Sequence, residues 1–289
     1  MCEGRLSACP DQCLYCEPDN PPRHPDSMSK KHIDLLDFHG LPAPVYFRYA
    51  DFAAHSHALE HRHPWGCLEY SAHGVMHMDI AGQRFMSPPQ YAVWVPPQTP
   101  HSFYTSQPIN YRAVLLAPEL CTDLPEQGST LAISEILKAI LKDFAARDVQ
   151  IPEGEADQRL AQVALDQLRQ APAHKGYLPY ARHPELLRVL QALQADPGNN
   201  QPLAHWAQQA HVSERTLARQ FVRELGMSFG EWRQRQRFLA AIEALDSPRS
   251  VQEIAFDMGY SSASAFIAMF QRQAACTPEQ YRRAGLQNR

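Results

Sequence analysis

Residues 202–225 read "PLAHWAQQAHVSERTLARQFVREL", and residues 250–273 read "SVQEIAFDMGYSSASAFIAMFQRQ". Laid one over the other, they match at Ala207 and Ala255, His211 and Gly259, Val212 and Tyr260, Leu217 and Phe266, and Phe221 and Phe270. Each stretch predicts a short helix, a tight turn, a serine and a second helix ending near Phe. A serine hydroxyl accepts a hydrogen bond from the orphan N–H groups of a helix's first turn. Ser213 is therefore placed to cap a helix over Glu214–Arg223, and Ser261 or Ser262 to cap the one that follows. A single two-helix corner of this kind is common. Two of them about 49 residues apart, joined by the helical run "SFGEWRQRQRFLAAIEAL" (228–245), are far more specific.

Helix, short turn, capped helix is the helix-turn-helix pattern, whose second helix fits the major groove of DNA. Two contacts on one face of a duplex lie about 34 Å apart, one turn of the helix. The joining run spans roughly 27 Å at 1.5 Å per residue, a sensible strut. Local charge agrees. From Asp196 to Arg289 there are eleven Arg, no Lys and nine Asp plus Glu, or about +2 in a chain of formal charge −4. Arg carries a planar donor fork that suits phosphates and guanine edges.

On the first recognition helix, Glu214, Arg215, Thr216, Arg219 and Gln220 are expected to face outward, with Leu217, Ala218 and Phe221 toward the core. Arg215 and Arg219 are one turn apart, so both can face the groove. Each either reads a guanine, touches phosphate or pairs with Glu214 or Glu224. The second recognition helix offers Ser262, Ala263, Ser264, Ala265, Ile267, Ala268 and Met269, with no charged side chain. It is expected to meet phosphate through Ser262, Ser264 and its N-terminus, with apolar contact to thymine methyls. The DNA-contacting set is then Ser213, Glu214, Arg215, Thr216, Arg219, Gln220, Ser261, Ser262 and Ser264. Arg233, Arg235, Arg237, Arg272, Arg282 and Arg283 are further phosphate candidates.

The runs "LGMSFGEWRQRQRFLAAIEAL" and "VQEIAFDMGYSSASAFIAMFQRQ", with the ending "TPEQYRR" (277–283), resemble the DNA-binding domain of AraC/XylS-type transcriptional regulators over about residues 200–284. The resemblance implies a monomeric pair of helix-turn-helix units on a linker helix, reading promoter DNA. Many members also carry an N-terminal cupin-like barrel that senses a small molecule and dimerises through nearby helices. A likeness to regulators of a neighbouring transporter or efflux gene goes with "GQRFMSPPQYAVWVPP".

Residues 40–117 read as β. Short runs rich in Val, Ile, Tyr and Phe are cut by Gly74, Gly82, Pro88, Pro89, Pro96 and Pro97. "GVMHMDIAG" alternates sides and "YAVWVPP" is a short buried strand, which suggests a small barrel or sandwich. The stretch Phe52–Tyr70, "FAAHSHALEHRHPWGCLEY", holds His55, His57, His61 and His63. Residues i and i+2 of a strand point the same way, so His61 and His63 can share the lumen. In metal-binding cupins two such His, a Glu and a later His close round one ion. The resemblance assigns those places to His61, His63, Glu69 and His101. Glu69 lies six residues after His63, later than usual, and Pro64, Trp65 and Gly66 interrupt the strand parity. The four residues therefore frame either a divalent metal, a metal-free effector pocket, or no ligand at all. His55 and His57 are expected at the surface. Trp65, Tyr70, Phe85, Trp94 and Phe103 are core or pocket aromatics.

From Leu131 the pattern turns helical. Ile133, Ile136, Leu137, Ile140, Leu141 and Phe144 make one stripe, and Leu160, Val163, Ala164 and Leu168 another. Such stripes cover a core or join a homodimer. "DPGNNQP" (196–202) reads as a break between domains. Of seven Cys, four fall in the leader, where Cys13 and Cys16 form one C-x-x-C pair without a second. The leader reads better as disordered, with Met28 as the natural start. No apolar run approaches the roughly 20 residues of a membrane span, and the N-terminus lacks a signal's apolar segment. A cytoplasmic location with no membrane partner is expected.

The expected fold is α+β. Residues 1–27 form a leader, 28–125 a cupin-like effector-sensing barrel, 126–196 flanking helices suited to dimerisation, and 197–289 an all-α DNA-binding domain with a linker helix between its two units. The expected function is a dimeric, effector-sensing activator or repressor that binds double-stranded promoter DNA, without catalytic residues and without a certain cofactor. The rival reading is a metal-dependent cupin enzyme, a dioxygenase or isomerase, fused to a DNA-binding domain. No P-loop, dinucleotide-binding glycine pattern or nucleophile elbow is present.

Overall fold

The computed structural model describes residues 31–32, 40–174 and 176–287; the leader, with Cys13, Cys16 and Met28, lies outside the described residues. The N-terminal half contains β1 (Lys31–His32), β2 (Val45–Phe52), β3 (Ser56–His61), β4 (Gly66–Ser71), β5 (Met76–Ile80), β6 (Gln83–Ser87), β7 (Tyr91–Val95), β8 (His101–Tyr104), β9 (Ile109–Leu116) and β10 (Ser129–Ala132). Helices α1 (Glu135–Ala146) and α2 (Glu155–Gln170) and strand β11 (Ala173–His174) follow. The C-terminal half is helical: α3 (Pro184–Ala195), α4 (Leu203–Gln209), α5 (Glu214–Gln220), α6 (Phe229–Leu245), α7 (Val251–Asp257), α8 (Ala263–Ala274) and α9 (Pro278–Gln287).

The strands form two sheets, ordered β1-β3-β8-β5-β6 and β11-β10-β7-β4-β9-β2. Alternation along each strand sorts side chains to two sides. Cys67, Val93, Val95, Tyr111, Ala113 and Leu115 of the second sheet meet Met76, Met78, Phe85 and Phe103 of the first, filling the interior. On the other face of β4, Leu68 lies opposite Trp94 and Val114. That outer face is covered by Leu137, Leu141 and Phe144 of α1 and by Ala164 and Leu168 of α2. The parity rule therefore divides the aromatics. Phe85 and Phe103 face inward, while Tyr70 and Trp94 pack under the helices.

Three expectations need correction. Strand pairing does not end at 125, because β10 pairs with β7 and β11 with β10. Leu131 belongs to that strand, and α1 starts only at Glu135, where the Ser134 hydroxyl accepts from the Leu137 amide. Ile133 precedes the helix, and Ile136 points away from the core at 55% exposure. Most consequentially, the break at 196–202 is not the domain boundary. Leu186, Val189, Leu190 and Leu193 of α3 are buried with Trp206, Phe238 and Phe270 in the C-terminal core. A turn-rich segment marks a chain reversal, but only packing tells which core its neighbours join.

The two repeated units adopt the expected geometry. His211 and Gly259, matched in the sequence overlay, both take positive φ, 55° and 77°. The tight turn needs the left-handed region at that point, where Gly is free of strain and a non-Gly residue is uncommon. Ser213 accepts from the Thr216 amide, and Ser262 from the Ala265 amide. The first recognition helix is shorter than expected: α-geometry ends at Gln220, and Phe221–Leu225 form a π-turn closed by left-handed Gly226. Ser228 caps the linker α6, whose Trp232, Phe238, Leu239, Ile242 and Leu245 are buried between the units.

Candidate functional site

The first recognition helix, α5, presents Glu214, Arg215 and Arg219 to solvent and half-buries Thr216, while Leu217 and Phe221 are fully buried. Arg215 and Arg219 therefore share an exposed face one turn apart. Gln220 does not join them. It is 8% exposed and turned into the core, so it is withdrawn from the base-contacting set. Before and along α8, Ser261, Ser262, Ser264, Ala265 and Ala268 are exposed and Ile267 half-buried, while Met269 is completely buried. The N-terminal half of the helix thus exposes small, uncharged side chains, and Met269 is not among them.

The Arg residues outside the recognition helices separate by environment. Arg272 and Arg283 are exposed. Arg237 is 7% exposed, and its guanidinium donates to the Pro197 carbonyl at 2.8 Å, the Asn199 carbonyl at 2.9 Å and Asn200 Oδ1 at 2.9 Å. Arg233 donates to the Gln201 carbonyl, Arg235 to the Tyr177 carbonyl and Glu231, and Arg282 to the Leu245 and Arg249 carbonyls. Arg233, Arg235, Arg237 and Arg282 are internal clamps that satisfy backbone carbonyls at turns and helix ends. Charge and residue type made them look like phosphate contacts; only their partners show otherwise.

In the barrel, His61 and His101 are direct partners across β3 and β8. His63 lies just beyond the end of β3, its ring stacked on Trp65 at 4.7 Å. One ligand atom from each of His61, His63 and His101 lies within 4.8 Å of the others. Each Nδ1 faces a backbone carbonyl: His61 that of Leu59 at 2.9 Å, His63 that of Trp65 at 2.8 Å, and His101 that of Thr99 at 2.9 Å. A carbonyl only accepts, so each Nδ1 carries the proton and each Nε2 is left as a bare base. His101 Nε2 is buried without a partner. Burial holds all three imidazoles below their ordinary pKa, His63 at about 4, and His101 adds to the effect on the other two. The cluster is therefore neutral at pH 7 and offers three nitrogen lone pairs.

Glu69 keeps the expected parity despite the Pro64–Gly66 interruption. It shares the interior side with Cys67, whose thiol lies 3.5 Å from Glu69 Oε1, and Val93 and Ala113 stand opposite it. At 7% exposure its carboxyl is held above the usual range by burial. It stands outside the convergent group, which among the described residues is His61, His63 and His101 alone. His55 and His57 are half-buried, and His55 Nδ1 lies 3.4 Å from the Tyr104 hydroxyl.

The barrel and the helical half touch. The Gly74 amide donates to the Tyr281 hydroxyl at 2.8 Å, the His73 ring stacks on Tyr281 at 4.5 Å, and His73 Nε2 lies 3.8 Å from Asp246. Sequence reasoning missed this junction. His73 and Tyr281 sit in different repeating patterns, and nothing local pairs them. No helix among the described residues is long and apolar enough to cross a membrane.

Comparison with known proteins finds a match for each half. The AraC-like ligand binding domain family matches residues 42–214, and a helix-turn-helix domain family matches residues 206–284. The HTH-type transcriptional regulator NimR of Escherichia coli K12 is 33% identical over 221 residues, covering 76% of this chain and 81% of NimR. RipA of Corynebacterium diphtheriae is 34% identical over 104 residues, 36% of this chain and 31% of its own length. Among solved structures, ToxT of Vibrio cholerae covers 83% of this chain and 98% of its own at 10% identity and a TM-score of 0.36. The C-terminal domain of AraT from Geobacillus stearothermophilus covers 36% of this chain and 88% of its own at 30% identity and a TM-score of 0.35. The chain belongs to the AraC family of transcriptional regulators, with an AraC-like ligand-binding domain ahead of its helix-turn-helix domain.

Proposed function

We propose that this regulator reads its operator chiefly through α5, with Arg215 and Arg219 on bases, and that α8 supplies phosphate and methyl contacts. The observation that carries this is the asymmetry of the two units: α5 exposes two Arg one turn apart, whereas the first two turns of α8 expose only Ser264, Ala265 and Ala268, with Arg272 left to its last turn. A bidentate Arg–guanine contact is the commonest specific contact in the major groove. Ser213 and Ser262, engaged as caps, leave N-terminal amides facing outward to serve phosphate. The experiment is a base-by-base binding scan of an operator found by genome-wide site mapping. Discrimination concentrated in one half-site supports the reading, and equal dependence on both overturns it.

The effector site in this reading is the barrel around His61, His63 and His101. The three bare Nε2 atoms suit a divalent ion, which would act as a Lewis acid anchoring an oxygen or nitrogen of the effector. The backbone carbonyls on Nδ1 are the outer partners that orient metal-binding imidazoles. The cluster equally accepts hydrogen bonds from an effector without an ion. Its role is recognition and not catalysis, in keeping with relatives that are transcriptional regulators. The exposed Ile136 and Val163 on α1 and α2 suggest the homodimer face, and the protein is proposed to act in the cytoplasm, where its promoter lies. Elemental analysis of the purified protein separates the alternatives. A stoichiometric redox metal with substrate turnover would restore the enzyme reading.

A further inference from the structure

Strand β8 separates two environments. His101 and Phe103 face the barrel interior, and Ser102 and Tyr104 face outward. Outside them lies a cavity of about 680 Å³, walled on one side by β5, β6 and β8 and on the other by α6. The α6 residues on it, Gln236, Leu239, Ala240 and Glu243, sit at i, i+3, i+4 and i+7, one face of the linker helix. The cavity is thus shared between the sensor barrel and the strut that sets the distance between the two helix-turn-helix units. Its size falls within the roughly 300–1,000 Å³ typical of small-molecule sites.

Two of its polar groups are acceptors short of donors. Gln236 is 5% exposed, lines the cavity, and its Oε1 has no hydrogen-bond donor. Among the described residues Glu243, whose side chain is 42% exposed, is reached by two long contacts, Ser106 Oγ at 3.5 Å and His77 Nε2 at 3.6 Å. His77 Nε2 is itself buried without a hydrogen bond. A buried acceptor without a donor costs free energy unless a ligand or water supplies one. The site therefore asks for hydrogen-bond donors beside a carboxylate, while Met86, Leu178 and Leu239 give apolar walls. Arg84 stands at the exposed edge, opposite Asp79 in the β5–β6 register.

We propose that this cavity is a second small-molecule site, distinct from the histidine cluster, and that it takes an amine with an apolar body. The ammonium donates to the Glu243 carboxylate, Gln236 Oε1 offers a second acceptor farther along the same face of α6, and the body packs on Met86 and Leu239. A ligand so held bridges β5 and β8 to α6 and ties the barrel to the DNA-binding half. The inference uses the regulator reading only for that consequence; the binding itself stands apart from it.

The test is calorimetric titration of the full chain with benzylamine, phenethylamine and tryptamine, against benzyl alcohol and phenylacetate as matched neutral and anionic probes. One-to-one binding of an amine at millimolar Kd or tighter is expected, with the alcohol and carboxylate at least about tenfold weaker. Glu243→Gln and Gln236→Met each weaken the amine by about tenfold or more, since each removes a charge-assisted acceptor or an acceptor from a desolvated site. The His61→Ala/His63→Ala double variant binds the amine as the unaltered protein does. The proposal is overturned if none of the amines binds, if the alcohol binds equally, or if the loss follows the histidine variant instead of Glu243 and Gln236. Operator binding measured on the same samples without ligand reports separately on the regulator reading.

Discussion

The Gly74 amide and the Tyr281 hydroxyl, 207 positions apart in the chain, share a buried hydrogen bond of 2.8 Å between the sensor barrel and the last helix. The bond is held from both sides. Gly74 has φ of +82°, and a Cβ there would meet Ile109 Cγ2 and the Pro108 carbonyl at 2.8 Å, so the turn tolerates no larger residue. Tyr281 is pinned by the His73 stack and by Phe270. Tyr281→Phe removes the acceptor and leaves a buried N–H unpaired. It is expected to cost about 1–3 kcal/mol and to loosen the junction without disturbing either core. Hydrogen exchange should show faster exchange at Gly74 and α9 together. Protection unchanged at both would mean that the bond does not hold the halves.

DNA recognition separates by residue on α5. Arg215→Ala and Arg219→Ala are each expected to cost about 1–3 kcal/mol of operator affinity and to relax specificity at single positions. Gln220→Met, at a buried position, should leave base preference unchanged. Quantitative binding to an operator and its single-base variants reads the difference. A base preference altered by Gln220→Met would show that α5 turns on the DNA.

The capping serines test the local architecture. Ser213→Ala and Ser262→Ala each remove an acceptor for a first-turn amide and should cost about 1 kcal/mol of stability. They should also weaken DNA binding, because the helix end that faces phosphate frays. Ser213→Asp is expected to retain the cap and stability while weakening DNA binding by repulsion from phosphate, which denaturant midpoints and binding isotherms distinguish.

Arg237 shows where charge counting fails. It reads as a phosphate contact in the sequence, yet it is buried and holds Pro197, Asn199 and Asn200. Asn200 in turn donates to the Gly259 carbonyl at 2.7 Å, and a Cβ on Gly198 would strike the Asp257 carbonyl. The turn before the first unit is thereby clamped to the turn of the second. Arg237→Ala is expected to cost about 3 kcal/mol or more by stranding these acceptors, with the salt slope of DNA binding unchanged. Arg272→Ala and Arg283→Ala should each lower that slope by about one if they meet phosphate.

How much of this was legible depends on the range of the pattern. The helix-turn-helix units were readable because their signals are local: a cap, a turn residue with positive φ, and apolar spacing, each repeated. The sequence overlay pairs His211 with Gly259, and the two share a positive φ. Strand parity was likewise readable, so the inward side of β4 carries Glu69 beside Cys67. What escaped were choices between partners. Nothing in α3 says that Leu186 and Leu190 join the C-terminal core, since an apolar stripe fits any core. Gln220 and Arg237 look solvated by residue type and are buried by tertiary contact. Glu69 points into the lumen as expected and yet stays outside the histidine cluster, because convergence depends on distances between strands that spacing does not encode.

The histidine cluster makes a prediction about pH. In the ion-free protein the folded-state pKa of His63 is about 4, below the ordinary 6.5, mainly through burial. Between those two values the unfolded chain binds more protons than the native one, so the neutral His63's contribution to stability declines as pH falls through that window and is gone below about 4. At about 1.4 kcal/mol per unit, His63 accounts for up to about 3 kcal/mol of that loss. His61 and His101 shift in the same direction and steepen it. Urea unfolding at pH 7, 6 and 5 should show the decline, and His63→Gln should flatten it. Added Zn²⁺ or Mn²⁺ should raise the midpoint at pH 7 with little proton release, because the Nε2 atoms are already bare, and the gain should shrink toward pH 4 as protons compete. In the His61→Ala/His101→Ala variant the ion should have no effect. A midpoint insensitive to both pH and metal in the unaltered protein would remove the cluster as an ion site and leave only its ion-free reading.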